Sequence, residues 1–307
     1  MSIYTSVEKE QLESFLESYS IGSLVSFKGI EAGVENTNYF VTTSAGEYVL
    51  TLVESVDAAK AKEIVGFQAQ LAAAHLKVAA PLQNIAGQLV SELNGKPAVI
   101  AIRLAGEPVV ESTIAQAGVI GAELAKFHSV SLENNAAPAL SLLDWCSDVL
   151  GEIESFIDSE DRALIKDFLL QFSTMPWSSF DSGAVHADLF PDNALFVGDE
   201  LQGVIDFYHT MNAPLIYDLA VMLNAWCYSE EVGCFYPVKE MTMLKEYESI
   251  RALSELEREW LKPMRKLAAL RFWLSRLKAH FLSRPGAVVS TRDPVGKRQL
   301  LLHLDAV

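Results

Sequence analysis

Cysteine is scarce in this chain of 307 residues: Cys146, Cys227 and Cys234 are the only three, with no CxxC spacing among them. An odd, sparse set excludes a disulfide framework and gives no thiolate metal site, so the cysteines read as small hydrophobes. Positive charge is also short. Lys and Arg number 24 against 40 Asp and Glu, leaving a formal net charge of −16 and a pI near 4.8. Such a surface repels phosphate backbones, which argues against a nucleic-acid partner. It does not exclude a nucleotide, which arrives with a divalent cation and meets a local site. No apolar run approaches the ~20 residues that span a bilayer, so no membrane association is expected. Met1 is followed by Ser6, Glu8, Glu10 and Glu13 without a basic and apolar leader, so no signal peptide is expected and the location reads as cytoplasmic. Internal repeats and low-complexity tracts are missing too.

What is present is an ordinary globular composition, 50% apolar and 21% charged, long enough for one large or two modest domains. Leu12, Phe15, Leu16 and Tyr19 recur at helical spacing after Ser6, a candidate N-cap. Strand patterns follow at 24–27, 38–43 and 47–53, with a polar turn at 29–37. A helical stretch runs over 57–75, and two more strands at 89–93 and 97–102 flank an Asn94-Gly95 hairpin signal. From Ser112 the periodicity becomes helical, around 112–129, 144–158, 160–173, 215–227, 241–251 and 255–283, with Pro263 as a break or start. One strand-rich island, 183–207, interrupts these helices. The pattern predicts an α+β, two-lobed chain: a small mostly-β N-lobe at 1–103 and a larger mostly-helical C-lobe at 104–307. Clefts between such lobes are common ligand sites.

The island carries the chemistry. It reads His186-Ala187-Asp188-Leu189-Phe190-Pro191-Asp192-Asn193, then a turn at Gly198-Asp199 and a strand ending in Asp206-Phe207. That is the kinase order H-x-D-x-x-x-x-N followed by a metal aspartate. Phosphoryl transfer needs a carboxylate to orient the acceptor hydroxyl and accept its proton, the role of Asp188. It needs oxygen ligands for Mg²⁺ on the triphosphate of ATP, which suits Asn193 and Asp206. Alone, H-x-D-x-x-x-x-N arises by chance and surface Asp and Asn usually cap turns; the hairpin and the I-D-F at the right distance make coincidence improbable. His186 is assigned a supporting hydrogen-bonding role, and Tyr217-Asp218 the anchoring of the loop.

HADLFPDN with IDFYHT and YDLAVMLNAWC resembles the aminoglycoside phosphotransferase/choline kinase-like superfamily. Within it the chain is most similar to bacterial homoserine kinases, through Gly33–Val41, Tyr48–Glu54, Ala269–Leu277 and Arg292-Asp293-Pro294. The resemblance runs over nearly the whole chain and implies an α+β, two-lobed protein-kinase-like fold and ATP-dependent phosphorylation of L-homoserine in threonine biosynthesis. By position, Gly33, Asn36 and Thr37 should cover the phosphates, and Ala101, Arg103 and Leu104 should offer backbone groups to the adenine. Tyr208 and His209 could touch the acceptor. Arg271 has two readings, a clamp on the substrate carboxylate or a structural salt bridge to an acid such as Asp218; Arg276 reads as structural.

Two features depart from kinase pattern. The 29–37 turn has only two glycines, and Thr51 stands where many kinases have the phosphate-binding lysine. Lys60, Lys62 and Glu63 are left outside the site as solvated helix positions. The alternatives are a kinase for another small alcohol (amino alcohol, thioribose or aminoglycoside) and a catalytically silent kinase-like binding module.

Overall fold

A computed structural model describes residues 4–30, 36–132, 141–282 and 293–306. Contact clustering divides the chain into two compact units. The first is Met1–Glu107 with Leu195–Val197 and Gln202–Tyr208; the second is Pro108–Ala194 with Gly198–Leu201 and His209–Val307.

The first unit is built on one antiparallel sheet. Strands β1 (Leu24–Gly29), β2 (Thr37–Thr43), β3 (Gly46–Leu52), β4 (Ser91–Leu93) and β5 (Lys96–Ile102) lie in the order β1-β2-β3-β5-β4. β2 alternates buried and half-buried positions, the period-2 pattern of a strand with one face on a core. Asn94 and Gly95 both take positive φ (53° and 75°) between the paired Leu93 and Lys96. That is the demand a two-residue hairpin turn makes and Asn-Gly meets. Helix α1 (Lys9–Leu16) buries Leu12, Phe15 and Leu16 in a cluster with Tyr39, Val41, Leu50 and Ile100. Its N-cap is Glu8, whose N–H donates to Gln11 Oε1 (2.9 Å), so the capping-box pair displaces Ser6 from the expected role. Helix α2 (Ala58–Ala73) is capped by Asp57, which accepts from Lys60 N–H.

The second unit is mainly helical: α3 (Ile114–Leu132), α4 (Ser141–Ile153), α5 (Ser159–Ser173), α6 (Leu215–Trp226), α7 (Pro237–Glu248), α8 (Glu255–Leu282) and α9 (Pro294–Ala306). Its core gathers Val149, Ile165, Phe168, Ile216, Leu267, Leu270, Trp273, Leu274 and Leu300. Helix α8 packs on α4, α6 and α9. It also runs straight through Pro263, where the sequence pattern placed a break. The carbonyl that proline leaves without a donor is that of Glu259, an exposed residue, while the buried row Met264, Leu267, Ala268 and Leu274 holds the helix together. Strands β7 (Ser182–Val185) and β10 (Met211–Pro214) pair beneath the helices. Strands β6 (Glu107–Pro108), β8 (Ala194–Val197) and β9 (Glu200–Val204) form a small sheet whose residues fall mostly in the first unit, and in the second β11 (Tyr228–Ser229) pairs with β12 (Cys234–Phe235).

Candidate active site

In the second unit, the chain leaving β7 enters the loop that bears Asp188. Asp218, on the first turn of α6, receives the N–H groups of His186 and Ala187 on its two oxygens, each at 2.8 Å. These bonds let Ala187 hold a left-handed backbone, φ 63°, which a buried residue with a Cβ rarely adopts. Trp226, at the far end of the same helix, donates its indole N–H to Leu189 O (3.0 Å). The loop is thus suspended from both ends of α6. His186 is buried and its Nδ1 accepts from Asp188 N–H at 3.3 Å, the supporting role read from the sequence.

Asn193 closes the loop. Its amide Nδ2 donates to Asp188 O (2.8 Å) and to Asp188 Oδ2 (3.2 Å). Both amide hydrogens are thereby spent on Asp188, which turns the amide oxygen, a hard donor of the kind Mg²⁺ takes, away from that bond. Asp206, also at φ 63°, lies in the first unit and is exposed. The strand leading to it is fixed there: Val204 bridges Val78, accepting from Ala79 N–H and donating to Lys77 O. Phe207 packs edge-on to Phe67. Among the described residues no three His, Cys, Asp or Glu side chains converge as a metal cage. The amide oxygen of Asn193 and the carboxylate of Asp206 are each hard donors of the kind Mg²⁺ takes, an ion usually bound through one or two protein oxygens rather than a full protein cage.

Behind Asp218 runs a buried polar chain absent from the sequence reading. His128, on α3, lies 3.3 Å from Asp218 Oδ2 through Nε2 and 2.6 Å from the Tyr247 hydroxyl through Nδ1. Arg251 donates to Tyr247 Oη (3.1 Å), Glu257 (2.6 Å) and Asp181 (3.0 Å). Burial drives the His128 pKa down, so the ring is neutral, and burial drives the Tyr247 hydroxyl up, so it stays a donor. The donors then run one way: Arg251 to Tyr247, Tyr247 to Nδ1, Nε2–H to Asp218. Burial pulls the Asp218 carboxyl up, but the His128 bond and the His186 N–H outweigh it and hold it below its usual value.

Other expected positions are engaged differently. Gly33 and Arg292 lie outside the described residues. Thr37 is buried; its hydroxyl accepts from the N–H groups of Tyr4 and Thr5 and donates to Glu54. Asn36 Oδ1 accepts from Glu54 N–H (2.9 Å). These two side chains fasten the start of β2 to Glu54, just past β3. Ile102 and Arg103 donate their N–H groups to Ala80 and Glu47, and Ala101 bridges Pro81 besides pairing with Val49. The Arg103 guanidinium lies 4.0 Å above the Phe40 ring. The main chain of Leu104 makes no hydrogen bond among the described residues. Tyr208 packs its ring on the cluster of Val53, Val65 and Val99, and its hydroxyl bonds Thr51, which itself donates to Asn38 Oδ1 (2.7 Å). Tyr208 thus anchors Asp206 within the first unit. His209 is half-buried in the second unit. Lys60 pairs with Glu63 on the helix surface (2.8 Å), as a solvated pair should.

The helical core around α8 resolves the two arginines. Arg276 forms a two-pronged ion pair with Glu230, the structural role expected of it. The Arg271–Asp218 bridge is not made, because both Asp218 oxygens serve the loop and His128.

A sheet-based unit, a helical unit, and an H-x-D-x-x-x-x-N loop hung from a buried helix define a phosphoryl-transferring enzyme of the kinase-like fold. The chain belongs to the phosphotransferase enzyme family, whose profile matches residues 26–253. Its relatives there are homoserine kinases. That of Methylobacillus flagellatus is 35% identical, the alignment covering 99% of this chain and 95% of the relative. That of Afipia carboxidovorans is 38% identical, covering 99% and 94%. Among solved structures, an amicoumacin kinase in complex with AMP-PNP, Ca2+ and Ami shares the fold with TM-score 0.70 at 14% identity, covering 98% of this chain and 92% of that one.

Proposed function

We propose that the chain transfers the γ-phosphoryl group of ATP to the side-chain hydroxyl of L-homoserine, with Mg²⁺, giving O-phospho-L-homoserine and ADP. The observation that carries this reading is the Asn193 amide bonded to both the main chain and the carboxylate of Asp188, which pre-orients the acid/base group and a metal-ligand oxygen together. The homoserine kinase relatives over nearly the full chain support the acceptor. Asp188 accepts a hydrogen bond from the acceptor hydroxyl and takes its proton as the new O–P bond forms and the bond to the ADP oxygen breaks. Asn193 Oδ1 and Asp206 would hold Mg²⁺, which neutralises charge on the phosphate oxygens. The first unit takes the nucleotide role, with the Leu104 main chain nearest the adenine edge, and the second takes the acceptor.

A coupled ADP-release assay with Mg-ATP and a panel of alcohols tests the reading. Turnover with L-homoserine is expected; turnover confined to other alcohols, or none at all, would overturn the assignment. Asp188→Ala should lower kcat by about 10²–10⁴-fold, and near-full activity in that variant would remove Asp188 from the chemistry. Asn193→Ala and Asp206→Ala should each raise the Mg²⁺ concentration needed for half-maximal rate, and an unchanged requirement would discard them as ligands.

A further inference from the structure

Four cationic side chains are buried in the second unit: Arg251, Arg265, Arg271 and Lys297. Arg251 pairs with Glu257, Arg265 with Glu240 and Lys297 with Glu230. Arg271, 8% exposed, has no counter-ion and no hydrogen bond among the described residues. Its guanidinium carbon lies 5.0 Å from the Phe272 ring centre and 5.5 Å from that of Trp145. Aromatic faces stabilise a guanidinium, and they leave its in-plane N–H groups open to an acceptor from outside the protein.

A second orphan lies on the neighbouring helix. Tyr217 is fully buried, and its hydroxyl has no hydrogen-bond partner among the described residues. Tyr217 is on α6, which packs on α8, the helix of Arg271. The next residue, Asp218, holds the loop of Asp188, so the position of Tyr217 is set by the same turn that positions the base. Burial pushes the Tyr217 hydroxyl pKa up, Arg271 opposes that shift, and the Asp188 charge adds to it, which places the hydroxyl within the field of both. It is therefore a protonated donor.

We infer that Arg271 and Tyr217 form a carboxylate subsite for the acceptor, so that the enzyme selects hydroxy acids bearing a carboxylate and rejects amino alcohols and cationic sugars. The inference rests on the phosphoryl-acceptor reading above and adds to it the group recognised at the far end of the acceptor. The two orphan donors match the two oxygens of a carboxylate: the guanidinium edge supplies charge and planar geometry, and the phenol supplies one more hydrogen bond. A site built to satisfy a polar group rejects analogues lacking it far more strongly than an apolar pocket does, because its own buried donors stay unpaired. Tyr217 thus has a specificity role separate from the anchoring role of Asp218.

The test compares L-homoserine, its carboxylate-free analogue 2-amino-1,4-butanediol, and the amine-free acid 4-hydroxybutanoate, on wild type, Tyr217→Phe and Arg271→Met. In Tyr217→Phe, kcat/KM for L-homoserine should fall by about ten- to hundredfold, the homoserine-to-diol ratio should collapse by the same factor, and KM for ATP should hold. Thermal stability of Tyr217→Phe should be equal or higher, since the change removes an unpaired buried hydroxyl. Arg271→Met should lose more; should it not fold, Tyr217→Phe carries the test. Equal losses on both acceptors, a raised ATP KM, or a wild-type preference for the diol would each overturn the subsite. Turnover of 4-hydroxybutanoate but not of L-homoserine would remove the homoserine assignment and leave the subsite standing. No turnover with either carboxylate-bearing alcohol would overturn both.

Discussion

Ala187 and Asp206 are the two non-glycine residues that flank the chemistry in left-handed backbone, each at φ 63°. Aspartate tolerates that region, whereas alanine gives up roughly 1–2 kcal/mol. The carboxylate of Asp218, accepting the Ala187 N–H, offsets the cost, and His128 keeps that carboxylate in place. His128 has a thermodynamic signature of its own. Its folded-state pKa lies below the ordinary 6.5, so below pH 6.5 the unfolded chain binds a proton that the folded chain does not. Its contribution is fully present above pH 6.5 and is lost as pH falls below it, at up to about 1.4 kcal/mol per pH unit. Calorimetry from pH 7.5 to 5 should show His128→Gln less stable than wild type at pH 7.5, with a shallower fall towards pH 5; parallel profiles would mean His128 does not titrate in this way. Asp188 and Asn193 were legible in the sequence because five positions of local chain place them together. His128 and Tyr247 were not, since His128 reaches Asp218 across 90 residues and Tyr247 reaches His128 across 119, and a lone His or Tyr on an apolar helix face carries no local mark. The unpaired state of Tyr217 is a property of packing and has no sequence pattern at all.

Elements were legible where one face is buried and one wet. The strands of the first unit and most helices of the second follow from period 2 and period 3.6. Where the sequence rule failed, as at Pro263, tertiary burial of the helix outweighed one lost backbone bond. Close helix contacts are likewise invisible locally. On α3, a Cβ added at Gly121 would come within 2.6 Å of Met243 O on α7, so the two backbones approach there as only glycine allows. Gly121→Ala, which ordinarily favours a helix, should here destabilise the protein by about 1–3 kcal/mol from overpacking. Chemical denaturation would measure it, and a neutral or stabilising result would show that α7 simply moves aside. Glu230, in the turn between β11 and β12, ties α8 to α9 by pairing with Arg276 and Lys297, and these partners hold its carboxyl near a pKa of about 2 against burial.

At the scale of the whole molecule, the net charge of −16 is the largest single electrostatic fact. Repulsion among like charges weakens as the Debye length shrinks from about 30 Å at 10 mM salt to about 8 Å at 150 mM. The melting temperature should therefore rise by a few degrees over that range of NaCl; a fall would show that the surface ion pairs outweigh the net charge. Each unit has its own apolar core. The division assigns Asp188 to one and Asp206 to the other, a partition the linear order of the motif did not announce.

The loop suspended from α6 has a consequence in entropy. A surface loop ordered only on ligand binding surrenders about 1–2 kcal/mol of backbone freedom per residue at that moment. Here the Asp218 bonds to residues 186 and 187 and the Trp226 bond to Leu189 have fixed the stretch through Asp188 as part of folding. On the proposed reading the acceptor would meet a base that is already ordered, and its binding energy would be left for alignment with the phosphate.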